Sequence, residues 1–214
     1  MICQTVGYVA EMAPQRPTND DDPDARTALL DAVERLMLAE GYAAVTSRRV
    51  AAEAEVNPGL VYYYFGPMDN LFIEVFRRSA ARMLGRQAEA LASGQPLWAL
   101  WDLIRDQSNT TLNLEFLALG NHRQAVKDEM KDFSVRFRRI QFDGLSEILD
   151  RYGVDTEEWP PQAVMLFMDG VGRFMGEERS YGLNLGHGHA ARVMERLIAQ
   201  FEGKRRGGRR RGRR

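Results

Sequence analysis

Apolar residues recur at helical spacing along most of the chain, and the strict alternation that marks a strand is almost absent. In the segment 25–39, Leu29, Val33, Leu36 and Met37 fall three, four and seven residues apart. This spacing places their side chains on one face of an amphipathic helix. Similar patterns continue to the end of the chain, so the sequence predicts an all-α protein.

Two short helices are predicted directly after this first helix. Thr46 is a typical N-cap before a helix over 47–54, and Asn57-Pro58 places a capping side chain before a proline in the first turn of a third helix. That third helix is expected to end near Tyr64. Two short helices separated by only a few residues indicate a helix-turn-helix unit.

The remainder of the chain is predicted to form a larger helical bundle. Its helices are expected over 68–91, 97–119 (as one or two segments), 122–152, 159–178 and 190–201. The sequence therefore predicts a small N-terminal three-helix unit followed by a separate bundle.

The charge distribution adds two terminal segments to this picture. The 29 basic and 30 acidic residues nearly cancel, but the last twelve residues, GKRRGGRRRGRR, hold eight of the basic residues and no acidic one. Such a Gly/Arg segment cannot bury apolar surface. We expect a disordered leader at 1–23, a helix-turn-helix domain at 24–76, a ligand-binding and dimerisation bundle at 77–202, and a disordered tail at 203–214.

Several classes of protein are disfavoured by composition. The single cysteine, Cys3, cannot form an internal disulfide or a cysteine-based metal site, which favours a cytoplasmic protein. No apolar run reaches the length of a membrane span, and the first residues lack the basic region of a secretory signal. No catalytic constellation is present, so we expect neither an enzyme nor a cofactor. His187 and His189 would need further ligands to bind a metal, and we predict no metal site.

The stretch 41–72 resembles the N-terminal domain of the TetR family of bacterial transcriptional regulators. The matching motifs are Gly41-Tyr42, Thr46-Ser47, Ala51 to Val56, Asn57 to Phe65, and Leu71. The resemblance implies a DNA-binding protein with a variable helical domain for a ligand and for dimerisation. Two positions depart from the family pattern, which often has His where this chain has Tyr64 and Lys where it has Met68.

We predict the DNA-contacting residues from this resemblance and from helix chemistry. Free backbone N–H groups and guanidinium groups at the start of the second helix suit phosphate oxygens, and Leu60 suits a thymine methyl group. The resemblance implies that Tyr62 touches a phosphate. The candidate set is Thr46, Ser47, Arg48, Arg49, Asn57, Pro58, Gly59, Leu60, Tyr62, Tyr63 and Tyr64. Because the span 24–65 is slightly acidic, the basic tail is expected to compensate if it can reach DNA.

The bundle is expected to hold a small apolar or amphipathic effector between the helix of Trp98 and Trp101 and the helix at 122–152. The candidate pocket residues are Trp98, Trp101, Phe116, Met130, Phe133, Phe137, Met165 and Met168. The simpler alternative is that these side chains are ordinary core. By analogy with the family, the last two helices should form a homodimer seam, with Gly172 and Gly176 as weak markers of close packing there. Two copies would then read a palindromic DNA site.

The sequence is also compatible with a protein that binds nucleic acid mainly through its Arg-rich tail. The bundle could be a scaffold whose Arg-rich tail is the main nucleic-acid element, binding without sequence preference. Deleting the tail distinguishes this alternative from a sequence-specific repressor that an effector releases from its operator.

Overall fold

The computed structural model describes residues 23–106 and 110–206, and helices account for most of them. They are α1 (Pro23–Glu40), a 3-10 turn (Tyr42–Ala44), α2 (Ser47–Glu53), α3 (Gly59–Phe65), α4 (Met68–Leu91), α5 (Pro96–Arg105), α6 (Thr110–Gly120), α7 (Gln124–Arg151), α8 (Pro161–Ser180) and α9 (His187–Glu202). The described residues contain no strand, and the prediction of an all-α fold is confirmed. No helix among them is long and apolar enough to cross a membrane.

The ends of the short helices follow the predicted capping pattern. Thr46 Oγ1 accepts a hydrogen bond from the N–H of Arg49 at 3.3 Å, and Asn57 Oδ1 accepts one from the N–H of Gly59 at 2.8 Å. Pro58 already has helical backbone angles. Gly66 ends α3 with a φ of 64°, a conformation that favours glycine.

The helix boundaries follow the prediction closely, and the clearest differences are at the starts of α1 and α9. The 97–119 segment forms two helices, α5 and α6, on either side of Asp106. α1 begins at Pro23, a residue placed in the disordered leader, and the rest of that leader lies outside the described residues. α9 begins at His187 rather than Ala190, because Gly186 adopts a left-handed conformation and starts the helix earlier.

Two groups of buried apolar side chains form the interior. The first joins α1–α4 to Leu112, Phe116 and Leu119 of α6 and Val126 of α7. The second lies further from the N-terminal unit and joins the end of α4 to α5, α7, α8 and α9. The expected division at residue 76 falls within α4, which contributes side chains to both groups.

The N-terminus of α5 is capped by a residue from the far end of the chain. Glu202 accepts hydrogen bonds from the N–H groups of Leu97 and Trp98 at 3.1 and 2.9 Å. A carboxylate at this position satisfies free amides and complements the helix dipole. Glu202 also accepts a hydrogen bond from the Tyr152 hydroxyl at 2.7 Å. Burial, reinforced by this carboxylate, raises the pKa of Tyr152 to about 12.

The first residues of the Arg-rich tail are bound to α5. The indole N–H of Trp98 donates to the carbonyl of Gly203 at 3.1 Å. Arg205 lies 5.6 Å from the Trp98 ring centroid and forms an ion pair with Asp102. The N–H of Arg206 donates to Gln95 Oε1 at 2.6 Å. The prediction of disorder from residue 203 is therefore wrong for 203–206, and residues 207–214 lie outside the described residues.

Candidate nucleic-acid interface and internal cavity

The outer surface of α3 exposes two large aromatic side chains. Tyr62 is 76% exposed and Tyr63 is 57% exposed, whereas Val61 and Phe65 are buried against the rest of the N-terminal unit. Tyr64 is half-buried and packs edge-on against Tyr63, with ring centroids 5.2 Å apart. A seven-residue helix thus turns two tyrosines to solvent, and a simple core role for these two is excluded.

The start of α2 presents two arginines in different electrostatic states. Arg49 donates to both carboxylate oxygens of Glu40 at 2.9 and 2.5 Å. This hydrogen-bonded carboxylate raises the pKa of Arg49. Arg48 is exposed and forms no ion pair with any residue of the described chain. Arg48 is therefore the cation of α2 that is available to a new anionic partner.

The remaining candidate DNA residues lie at the starts of α2 and α3. Thr46, Ser47, Asn57, Pro58 and Gly59 are exposed. Leu60 is half-buried and packs in part against the first core group, which restricts its reach toward a thymine methyl. Met68, which stands where the family often has Lys, packs in part against the same core. The structure thus gathers the candidate set on one pair of contacting helices, with Leu60 the least accessible of its apolar members.

A cavity of about 270 Å³ lies in the bundle, among α4, α5, α6, α7 and α8. Four of the eight predicted pocket residues line it: Phe116, Met130, Phe133 and Phe137. The ring of Phe76 packs edge-on against Phe116 and Phe133, with centroids 5.3 and 5.5 Å apart. Aromatic and aliphatic side chains make up about half of the lining residues.

The other four predicted pocket residues do not line this cavity. Trp98, Trp101, Met165 and Met168 lie in the second core group, where they are almost fully buried. Helical periodicity places both tryptophans on the inner face of α5, but that face belongs to the second core group at these positions. The alternative that they are core residues is correct for these four side chains. The cavity still lies between α5 and α7, as predicted, but α5 contributes Leu100, Leu103 and Ile104 to it instead of the tryptophans.

The cavity also has a polar section that the sequence prediction omitted. Arg138 Nη1 donates to Asp169 Oδ2 at 2.5 Å and to Gln141 Oε1 at 3.3 Å. Burial raises the pKa of Asp169, and the neighbouring Arg138 offsets this only in part. Gln87, on α4, is 1% exposed, and neither of its amide atoms has a hydrogen-bond partner among the described residues.

The glycines of α8 face inward rather than toward a second copy. Gly172 and Gly176 are buried and line the cavity. A Cβ atom at Gly172 would lie 2.2 Å from Cγ2 of Ile104, so this glycine allows α5 to approach α8. Their interpretation as markers of a dimer seam is wrong. The outward side of α8 and α9 carries exposed apolar residues instead, namely Leu166, Phe167, Phe174 and Val193.

One carboxylate joins the cavity wall to the N-terminal unit. Glu115, on α6, accepts a hydrogen bond from the N–H of Tyr42 at 2.7 Å. The ring of Tyr42 also stacks on His122, with centroids 6.1 Å apart. Sequence reasoning missed Glu115, because its partner lies 73 residues away. Gln87 was also missed, although a signal existed: it stands four residues after Met83 and seven after Ala80, on the inward stripe of α4.

Within the described part of the chain, neither His187 nor His189, which lie at the start of α9, belongs to a metal cluster. His187 Nε2 lies 2.6 Å from Glu178 Oε2, and His189 is exposed. The described residues contain no group of three His, Cys, Asp or Glu side chains arranged to hold a metal ion.

The chain is similar in sequence to known bacterial transcriptional regulators. Residues 29–75 match the family model described as bacterial regulatory proteins, tetR family. The transcriptional regulator BetI of Rhizobium meliloti is 26% identical over 156 residues, which cover 70% of this chain and 77% of BetI. The transcriptional repressor AcnR of Corynebacterium glutamicum is 32% identical over 71 residues, which cover 33% of this chain and 35% of AcnR.

A solved structure shows the same fold over a longer span. A transcriptional regulator from Saccharomonospora viridis, in complex with choline, superposes with a TM-score of 0.66 at 18% identity. The superposition covers 83% of this chain and 96% of that one.

A helix-turn-helix unit joined to a helical bundle, with the family match centred on that unit, defines a DNA-binding transcriptional regulator. The N-terminal unit of the chain matches the TetR family over residues 29–75. This family consists of transcriptional regulators rather than enzymes.

Proposed function

We propose that the protein is a homodimeric, cytoplasmic repressor that binds a palindromic operator and is released by a small apolar or amphipathic effector. The observation that carries the DNA-binding part is the pairing of exposed Tyr62 on α3 with unpaired Arg48 at the start of α2. A phenol and a guanidinium on adjacent short helices suit the phosphates that flank a major groove. The name of AcnR, a repressor, supports the direction of regulation.

The dimer is proposed from the outer face of the last two helices, near the predicted ranges 159–178 and 190–202. Phe167 and Phe174 are 57% and 59% exposed on the single chain, and Val193 of α9 is 57% exposed. A group of large apolar side chains at the surface is typical of an interface. Two reading helices on one site supply the specificity that one seven-residue helix lacks.

The effector site is proposed to be the cavity lined by Phe116, Met130, Phe133 and Phe137. Its wall combines a cluster of aromatic and aliphatic side chains with polar and charged groups, and a concave site of this kind suits a small molecule with an apolar body. The choline complex of the S. viridis protein supports a ligand role for the bundle of this fold. An effector lowers DNA affinity only if it binds the DNA-bound and released states unequally, and DNA must then weaken effector binding by the same factor.

The dimer is tested with the double substitution Phe167→Glu and Phe174→Glu. Charged groups in the seam should give a monomer in sedimentation, and the affinity for an operator selected from random duplexes should fall by about 100-fold or more, because each reading head then binds alone. Val135→Glu is the matched control, because Val135 is an exposed apolar residue of α7. A double variant that remains dimeric would refute the seam, and selected sites with a single half-site would refute the palindrome.

A further inference from the structure

We propose that the ligand of this cavity is uncharged and mainly apolar, that it carries an adjacent hydrogen-bond donor and acceptor, and that the side-chain amide of Gln87 binds this polar group. The inference rests on the proposed ligand role of the cavity and assigns the chemical class of the ligand. Carboxamides, lactams and undissociated carboxylic acids belong to this class.

The side-chain amide of Gln87 is a buried hydrogen-bonding group without a partner among the described residues. It lies on α4 in the cavity lining, is 1% exposed, and has neither Nε2 nor Oε1 bonded within the described residues. Buried polar side-chain atoms are nearly always satisfied, and an unsatisfied one is costly. An amide with both functions unused therefore fits a partner that binds in the cavity.

The carboxamide of Gln87 determines which ligand groups can bind it. Its N–H donates and its oxygen accepts, and the two atoms lie side by side in one plane. A ligand group with the same two functions side by side can satisfy both at once. A quaternary ammonium satisfies neither, and a carboxylate offers only acceptors.

The charged side chains of the lining lie close to side chains of opposite charge. Asp169 and Arg138 already bind each other, and Asp106 forms an ion pair with Arg86 outside the cavity. Arg173 and Glu177, which also line the cavity, carry opposite charges one turn apart on α8. The charges around the cavity therefore balance once Arg86 is included. A charged ligand would lose its hydration without meeting a net opposite charge, and such burial is unfavourable.

The aromatic side chains of the wall suit the apolar body of a ligand. Phe76, Phe116 and Phe133 pack edge-on in a continuous cluster, and Phe137 continues it at 5.5 Å from Phe133. These rings contact a flat or extended hydrocarbon well, and they offer it no hydrogen bond. Among the polar lining residues, Ser134 donates to the carbonyl of Met130 and Gln141 accepts from Arg138, whereas both amide atoms of Gln87 are buried and unbonded within the described residues. We therefore assign polar recognition to Gln87.

The test uses probes that share one apolar body: butylbenzene, 4-butylbenzamide, its N,N-dimethyl derivative, 4-butylbenzoate and 4-butyl-N,N,N-trimethylanilinium. Calorimetry on the full-length protein without DNA measures each dissociation constant. We expect 4-butylbenzamide to bind at least tenfold more tightly than every other probe. The dimethyl amide keeps the acceptor and lacks the donor, so it separates the two halves of the proposed contact.

The contribution of Gln87 is then measured with Gln87→Met, which has a similar volume. This variant should lose the preference for the carboxamide and keep its affinity for butylbenzene within about threefold. Gln124→Met, an exposed glutamine on α7, is the matched control and should behave like the unmodified protein. Circular dichroism verifies the fold of both variants.

Three results would overturn the inference: tightest binding of either charged probe, equal binding of the carboxamide and its dimethyl derivative, or no binding of any probe. The proposed regulatory function fails separately. A carboxamide that binds through Gln87 and leaves operator affinity unchanged would preserve the ligand class and remove the effector role.

Discussion

Arg48 and Arg49 are adjacent in sequence, yet only one of them is already engaged. Glu40 binds the guanidinium of Arg49 through two hydrogen bonds, so a phosphate must compete with this carboxylate. A second arginine of the unit, Arg35, is bound to Glu53 at 2.7 Å. The acidic composition of the N-terminal unit thus acts locally, by neutralising particular arginines. We therefore expect DNA attraction to depend heavily on Arg48 together with the exposed hydroxyl of Tyr62.

The double substitution Arg48→Ala and Tyr62→Ala should abolish specific operator binding and leave the fold intact. Each lost contact is expected to weaken binding by about 1–3 kcal/mol. Neither side chain belongs to the buried core, so thermal stability should change little. Gel shifts on the selected operator measure the loss.

Tyr181→Ala is the control, because Tyr181 is a 68% exposed tyrosine after α8, outside the reading unit. It should bind the operator normally. A folded double variant that retained near-normal affinity would show that the reading surface lies elsewhere.

At the scale of elements, α6 serves two sites at once. Leu114 and Phe116 line the cavity, while Glu115 between them binds the amide of Tyr42. Tyr42 begins the 3-10 turn that leads into α2. A displacement of α6 by a ligand would therefore pull directly on the segment that positions Arg48.

Glu115→Ala should weaken operator binding in the absence of any ligand by about fivefold, the effect of roughly 1 kcal/mol from one lost hydrogen bond. It should also reduce the fold-change in operator affinity that a ligand causes, because the mechanical link is absent. Glu115→Gln is the matched control, since its amide oxygen can still accept from Tyr42. Fluorescence anisotropy of labelled operator, with and without ligand, measures both quantities. Identical behaviour of the alanine variant and the unmodified protein would rule out this link.

The helices were largely predictable from the sequence because their determinants are local. Thr46, Asn57 and Gly66 act within a few residues of themselves, and apolar periodicity reports which side of a helix is buried. Periodicity does not report whether the buried side meets a cavity or a close-packed neighbour. Trp98 and Trp101 were therefore assigned to a pocket, although they are core residues.

The polar contacts of the cavity were not predictable in this way. The partners Arg138 and Asp169 are 31 residues apart, and Glu115 and Tyr42 are 73 apart. Such pairs are set by the packing of whole helices, which one sequence does not reveal. Met68 illustrates the same limit, because its departure from the family pattern gains a reason only when its packing against the core is seen.

At the scale of the whole molecule, the Arg-rich tail leaves the body far from the reading helices. Arg206 is held at Gln95, which follows the C-terminal end of α4. The N-terminal end of α4 adjoins α3, and a 24-residue helix is about 36 Å long. Residues 207–214 span at most about 28 Å when fully extended. We therefore expect eight residues attached at that anchor to be too short to reach an operator bound by α3.

Deleting 207–214 should therefore leave operator affinity unchanged, and the slope of log affinity against log salt should also be unchanged. This expectation replaces the one drawn from composition, in which the tail compensates for the acidic reading unit. Arg48→Ala provides the contrast, since loss of one phosphate contact should flatten the slope by about 0.9. A flatter slope after truncation would show that 203–206 detach and that the tail reaches DNA. Loss of all DNA binding would favour the alternative of a tail-driven, sequence-independent binder.

The first core group has a consequence for exchanging parts between regulators. Phe72, Val75 and Phe76 belong to the same buried group as Leu112 and Phe116 of α6, and the rings of Phe76 and Phe116 pack edge-on. If residues up to 76 were fused to the bundle of another protein, these side chains would meet a surface that is not complementary to them. We therefore do not expect the N-terminal unit to retain its operator preference when it is transferred alone. A working chimera would have to carry the matching face of α6 along with the reading helices, or rebuild it on the recipient.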